Sequence, residues 1–136
     1  NGTGANDVSE RNVISGNAWD GVRLTGAGNT GAVVAGNYIG TNASGLASVQ
    51  NGFAGVAVHP GVTNVRIGTN ADGASDSLER NILSGNRNEG VWILDASAVT
   101  VAGNYVGLDI NGASLGNGQT GVLIGGNSTN HLIGSN

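Results

Sequence analysis

Residues 79–90 read ERNILSGNRNEG, and residues 10–21 read ERNVISGNAWDG, nearly the same words 69 positions earlier. Such an echo comes from a recent duplication or from a rule that a periodic structure imposes. Internal periodicity therefore has to be read before anything else.

The echo divides again. The tetrads Gly21-Val-Arg-Leu24, Gly55-Val-Ala-Val58, Gly90-Val-Trp-Ile93 and Gly121-Val-Leu-Ile124 recur after 34, 35 and 31 residues. In a strand, residues i and i+2 share a face. One face then carries Val22, Val56, Val91, Val122 and Leu24, Val58, Ile93, Ile124. The other carries Arg23, Ala57, Trp92 and Leu123, which share no chemistry. Uniform aliphatics on one face and miscellany on the other are what stacked strands around a core require. A second strand follows each tetrad, with Ala32, Val65, Val99, His131 and then Val34, Ile67, Val101, Ile133 facing inward. A third carries Ile14, Ile39, Leu83 and Val106. Asparagine stands three residues beyond the second strand each time, at Asn37, Asn70, Asn104 and Asn136. These four are expected to hydrogen-bond from rung to rung as a stacked amide ladder.

The pattern predicts an all-β fold, a right-handed parallel β-helix of about four three-stranded rungs of ~34 residues with uncapped ends. Residues 1–136 form one segment of two double-rung repeats, about 1–69 and 70–136. One rung alone exposes both backbone edges, and a neighbour about 4.8 Å away satisfies them. The remaining residues are expected in loops. Rungs one and three carry theirs after the third strand (residues 41–54 and 108–120), rungs two and four before it (residues 71–80 and 2–11).

Composition agrees. Glycine contributes 26 residues and asparagine 19, both tolerant of the left-handed conformation that tight corners need. With 38% hydrophobic residues the chain has enough apolar material to fold. Net charge is −4, with five arginines, no lysine and no basic cluster, so nucleic acid is excluded as a partner. Cysteine is absent, which removes disulfides and thiolate metal sites. No apolar run reaches membrane-spanning length, so no membrane insertion is expected.

VISGN, ILSGN, the paired AGNYIG and AGNYVG, and the IGTN and IGSN endings resemble right-handed parallel β-helix repeats of the pectate-lyase-like superfamily. In particular they look like the tandem IGG-type repeats of large bacterial secreted or surface proteins. The resemblance covers the whole chain and implies an extracellular or cell-surface location. It does not choose among lyases, epimerases, adhesins and inert stalks, all of which that fold hosts.

Asn1 and Asn136 fall in the phase of Asn70, so the chain reads as a whole number of periods without a capping segment. The expectation is a structural repeat unit of an extracellular filament or stalk. Its partners would be copies of itself stacked head to tail, or adjoining repeats of a longer chain. The alternative is a carbohydrate-binding or polysaccharide-modifying β-helix, lyase- or epimerase-like, or an adhesin segment, with polysaccharide as partner.

Chemistry on this scaffold has few candidates. Glu10-Arg11 and Glu79-Arg80 recur in phase and read as exposed ion pairs supporting a loop. Asp109, Asn111 and Asp72 lie in fragments that look like calcium loops but lack the closing bidentate glutamate, and turns are the expected role. Tyr38 and Tyr105, two rungs apart on one flank, are candidates for stacking against sugar, with Trp92 and Trp19. The competing role is shielding corners. His59 reads as a turn residue, and His131 falls on an otherwise aliphatic inward row. No catalytic residues and no cofactor are expected.

Overall fold

The computed structural model describes residues 11–134. Twelve short strands follow one another: β1 (Val13–Ile14), β2 (Val22–Leu24), β3 (Val33–Val34), β4 (Tyr38–Ile39), β5 (Val56–Val58), β6 (Thr63–Gly68), β7 (Ile82–Leu83), β8 (Val91–Leu94), β9 (Ser97–Ala102), β10 (Tyr105–Val106), β11 (Val122–Gly125) and β12 (Leu132–Ile133). A single helical turn, α1 (Asp76–Glu79), precedes β7. The strands form three parallel sheets, ordered β1-β4-β7-β10, β2-β5-β8-β11 and β3-β6-β9-β12. Each strand pairs only with the strands one turn before and after it, so the chain is a parallel β-solenoid.

The register is the one the tetrads demand. Val22, Val56, Val91 and Val122 lie opposite one another, as do Leu24, Val58, Ile93 and Ile124. Val34, Ile67, Val101 and Ile133 form the corresponding column in the second sheet, and Ile14, Ile39, Leu83 and Val106 that in the third. A single core runs between the sheets, with Val56, Val91, Ile93 and Ile39 wholly buried. Burying each such side chain stabilises by about 1.5–3 kcal/mol before entropy is subtracted.

The turn count is lower than four. Three turns are complete, β2-β3-β4, β5-β6-β7 and β8-β9-β10. β1 stands at one axial end as the last strand of a preceding turn, and β11-β12 at the other as the first two strands of a following one. The loops fall where expected in the described turns, residues 41–54 and 108–120 after the third strand and 69–80 before β7. The loop predicted before Arg11 lies outside the described residues, as do Asn1, Glu10 and Asn136.

Corners are made by left-handed residues stacked in columns. One column, Gly31, Asn64, Ala98 and Asn130, has φ of 75°, 55°, 53° and 58°. The conformation suits glycine and asparagine but crowds an alanine Cβ, at about 1–2 kcal/mol. Ala98 is exposed, so Ala98→Gly loses little packing. Denaturant melting should show Ala98→Gly to be more stable than the parent, by up to about 1 kcal/mol.

Candidate functional site

Two asparagine columns run the length of the solenoid. In the first, Asn12 Nδ2 donates to Asn37 Oδ1 at 2.9 Å, Asn37 Nδ2 to Asn81 Oδ1 at 3.3 Å, and Asn81 Nδ2 to Asn104 Oδ1 at 2.9 Å. The ladder expected from the sequence thus exists, with different members. Asn70 is not in it, because Gly68, at φ 100°, turns the chain outward into the 69–80 loop. The rung position is filled on the chain's return, by Asn81 of the ERN motif. Asn70 instead donates to Asp72 within that loop.

The second column escaped the sequence reading. Asn17 Nδ2 donates to Asn51 Oδ1 at 2.9 Å, Asn51 to Asn86 at 2.9 Å, and Asn86 to Asn117 at 3.0 Å. Its signal was available, because asparagine stands four residues before the glycine of every tetrad. Each acceptor oxygen can also take a backbone N–H from the preceding rung, as Asn117 Oδ1 does from Asn86 N and Asn81 Oδ1 from Asn37 N. Asn51, Asn81 and Asn86 are buried to 1% exposure or less, so these amides replace water for one another.

The tetrad glycines follow from the same packing. A Cβ on Gly21 would lie 2.7 Å from Gly55 O and 2.8 Å from Asn51 Nδ2. Gly55 and Gly90 meet the same two groups of the next rung at 2.7–2.9 Å. Gly121, in the last described rung, meets only Val106 Cγ1, at 3.3 Å.

The proposed sugar-stacking residues do not form one surface. Tyr38 is buried, its ring 4.4 Å beneath the Arg11 guanidinium and its hydroxyl accepting from Arg11 Nη1. Tyr105 lies 4.3 Å beneath Arg80 in the same way, two rungs along the column Tyr38, Ile82, Tyr105. Trp92 is half-buried and meets the edge of His59 at 5.4 Å. Trp19 alone is open, 61% exposed, with Arg23 at 5.7 Å. Its neighbour is Phe53, unnoticed in the sequence, at 5.1 Å with planes 10° apart. That spacing matches the rung separation, so the rings lie face to face along the axis rather than side by side as one platform.

Asp109 and Asp72, the candidates for calcium loops, act on their own loops, whereas Asp20 and Asp95 accept from Ala54 N and Asn127 N one rung on. Asp109 Oδ1 accepts from Asn111 N and Ala113 N, both at 2.8 Å. Asn42 holds the 41–54 loop likewise, accepting from Leu46 and Ala47. Asp72 accepts from Ala74 N and Asn70 Nδ2, and these two bonds, in that order, hold its carboxyl below the usual range. Among the described residues no three His, Cys, Asp or Glu side chains converge as metal ligands.

Glu79 does not form the exposed pair with Arg80 that the sequence suggested. It is buried at 3% exposure, where it accepts from Arg66 Nη1 at 3.1 Å and from Asn70 N at 2.9 Å, closing the 69–80 loop. Arg80 donates to Gly103 O. Two shallow grooves flank this loop, of about 320 Å³ beside Asn64, Arg66, Thr100 and Leu132 and about 240 Å³ beside Thr69, Asp76 and Arg80. The charged groups in both are already engaged, Arg66 by Glu79, Asp76 by Thr69 Oγ1 and Gly73 N, and Arg80 by Gly103. His131 does face inward. Its Nδ1 accepts from Val99 N at 3.1 Å, while Nε2 is buried without a partner among the described residues, as is Nε2 of His59.

What the columns leave available is at the axial ends. Among the described strands, β1, β2 and β3 present one open edge, and β10, β11 and β12 the other. Comparison with protein-family models, with curated proteins and with solved structures returned no match. No helix among the described residues is long and apolar enough to cross a membrane.

The buried amide column sets the rung-to-rung fit. Asn86→Leu leaves one Asn51 Nδ2 hydrogen without its acceptor and deprives Asn117 Oδ1 and Ile39 O of their side-chain donor, Asn117 Oδ1 keeping only the main-chain N–H of residue 86. Chemical denaturation should show a loss of more than about 2 kcal/mol.

Proposed function

We propose that this chain is a structural repeat unit of an extracellular or cell-surface filament or stalk, joined to like units through the open edges of its three sheets. One observation carries this reading: the aliphatic, amide and glycine columns continue without a break to both axial edges of the described strands, while Glu79 and Asp109 are occupied in holding their own loops. The repeat motifs add the group to which such a unit would belong, the tandem IGG-type repeats of the pectate-lyase-like superfamily. Mechanically, the rung-to-rung hydrogen bonds lie along the axis, so tension on such a tube loads many of them together.

A fusion of two copies in tandem tests it. Small-angle scattering should show one rod longer than the single chain by about 19 Å, the advance of four rungs at ~4.8 Å. Two beads with independent orientations would overturn the reading.

A second reading, a carbohydrate-binding or -modifying segment or an adhesin, is favoured by Trp19, whose open ring lies beside Arg23. It requires Trp19 emission to shift on titration with neutral or acidic oligosaccharides. Unchanged emission at millimolar sugar removes that support.

A further inference from the structure

We propose that the edge formed by β10, β11 and β12 takes the edge formed by β1, β2 and β3 of a second copy of this chain, in one polarity and one register. The proposal rests on the structural-repeat reading and adds to it the direction and chemistry of the joint.

The direction comes from the amides. In the second asparagine column each Nδ2 of Asn17, Asn51 and Asn86 sends one N–H to the Oδ1 of the next rung, while Asn51, Asn86 and Asn117 send the other back to a main-chain carbonyl of the rung before. The column therefore ends unlike at its two ends. Among the described residues, Asn17 Oδ1 receives no donor, and Asn117 has its backbone N–H and its second Nδ2 hydrogen without an acceptor, since the one bond it donates runs from Nδ2 to Leu83 O. Like edges brought together would set donor against donor or acceptor against acceptor. Unlike edges continue the column, Asn117 to the partner copy's acceptor.

The register comes from three further columns. Gly121 has the space that Gly21, Gly55 and Gly90 lack, because those three are crowded by the carbonyl and amide of the following rung. Seated on β11, a second copy would supply the same carbonyl and amide from its own Gly21 and Asn17. The outward column Trp19, Phe53, Asn88, Gln119, joined by backbone bonds at each step, leaves the outer face of Trp19 open. The joint places that face against Gln119.

Charge fits as well. The column Asp20, Ala54, Glu89, Thr120 alternates acidic with uncharged residues, as Arg11, Gly36, Arg80, Gly103 alternates basic with uncharged. Both end uncharged at the β10–β12 edge and begin charged at the other, so the alternation survives the joint. Like charges stacked one rung apart would instead repel by about 1 kcal/mol even in water. Contact between two different edges of one molecule does not close on itself, so association continues into open rods.

Gly121→Ala tests the joint. Its Cβ is accommodated within one chain by a small movement of Val106, but would meet the second copy's Gly21 carbonyl. Sedimentation velocity over rising concentration should show the parent forming rods of increasing length. Gly121→Ala should fold and melt as the parent does, yet lose every species above the monomer. Added substoichiometrically, it should shorten parent rods in proportion to its mole fraction, because its β1–β3 edge still docks. A parent that stays monomeric, or a Gly121→Ala chain that assembles equally well, overturns the proposal.

A second measurement covers the case in which Gly121→Ala misfolds. In a Trp92→Phe background, Trp19 emission should shift to the blue and lose acrylamide quenching as concentration rises. Emission independent of concentration overturns the joint. A tandem fusion that is a rod while separate copies remain monomers leaves the structural-repeat reading standing and removes only this one.

Discussion

Every position in this chain must be compatible with its own counterpart about 4.8 Å away along the axis. That constraint decides which side chains the columns accept. Aliphatic residues pack on themselves without limit, and Val22 through Val122 illustrate it. Among polar residues the carboxamide is special, because it carries both a donor and an acceptor and can hydrogen-bond to an identical group. A carboxylate or a guanidinium repels its copy. The two asparagine ladders and the 10% charged composition are two sides of one rule.

The same rule accounts for the spacing of the echo. Charged residues that share a column are separated by an uncharged rung. Arg11 and Arg80 are separated by Gly36, and Asp20 and Glu89 by Ala54. Corner geometry alternates in step. Gly36 and Gly103, left-handed and one residue before their asparagine, turn the chain directly into the next strand. Gly68, left-handed one position earlier in its corner, releases it into a loop. After the third strand, Gly40 and Gly107 open loops, whereas Gly16 and Gly85 follow a serine and turn tightly. The repeat in amino-acid identity therefore spans two turns, although the repeat in core packing spans one.

These relations explain what could be read from the sequence and what could not. The G-V-x-aliphatic tetrads gave register directly, because side-chain alternation in a strand admits one phase with the valines inside. Counting onward from the second strand failed at Asn70, since an inserted loop breaks the count while leaving the strand phase intact. The fate of Tyr38 and Tyr105 was only half legible. Their shared flank followed from period, and Arg11 and Arg80 recur in phase, but recurrence does not say that these arginines cover the rings or that Glu79, from the loop before β7, reaches Arg66 on β6. The second amide column repeats at fixed distance from the tetrads, so it was present in the text and passed over as turn chemistry.

The alternation of charged and uncharged rungs has a genetic consequence. Loss or gain of a single turn by unequal recombination would bring Arg11-type guanidinium groups into adjacent layers and set a loop-forming corner against another. Loss or gain of two turns disturbs neither. A gene for such a tube can therefore lengthen or contract only by even steps, and selection for reach acts on a quantised ruler.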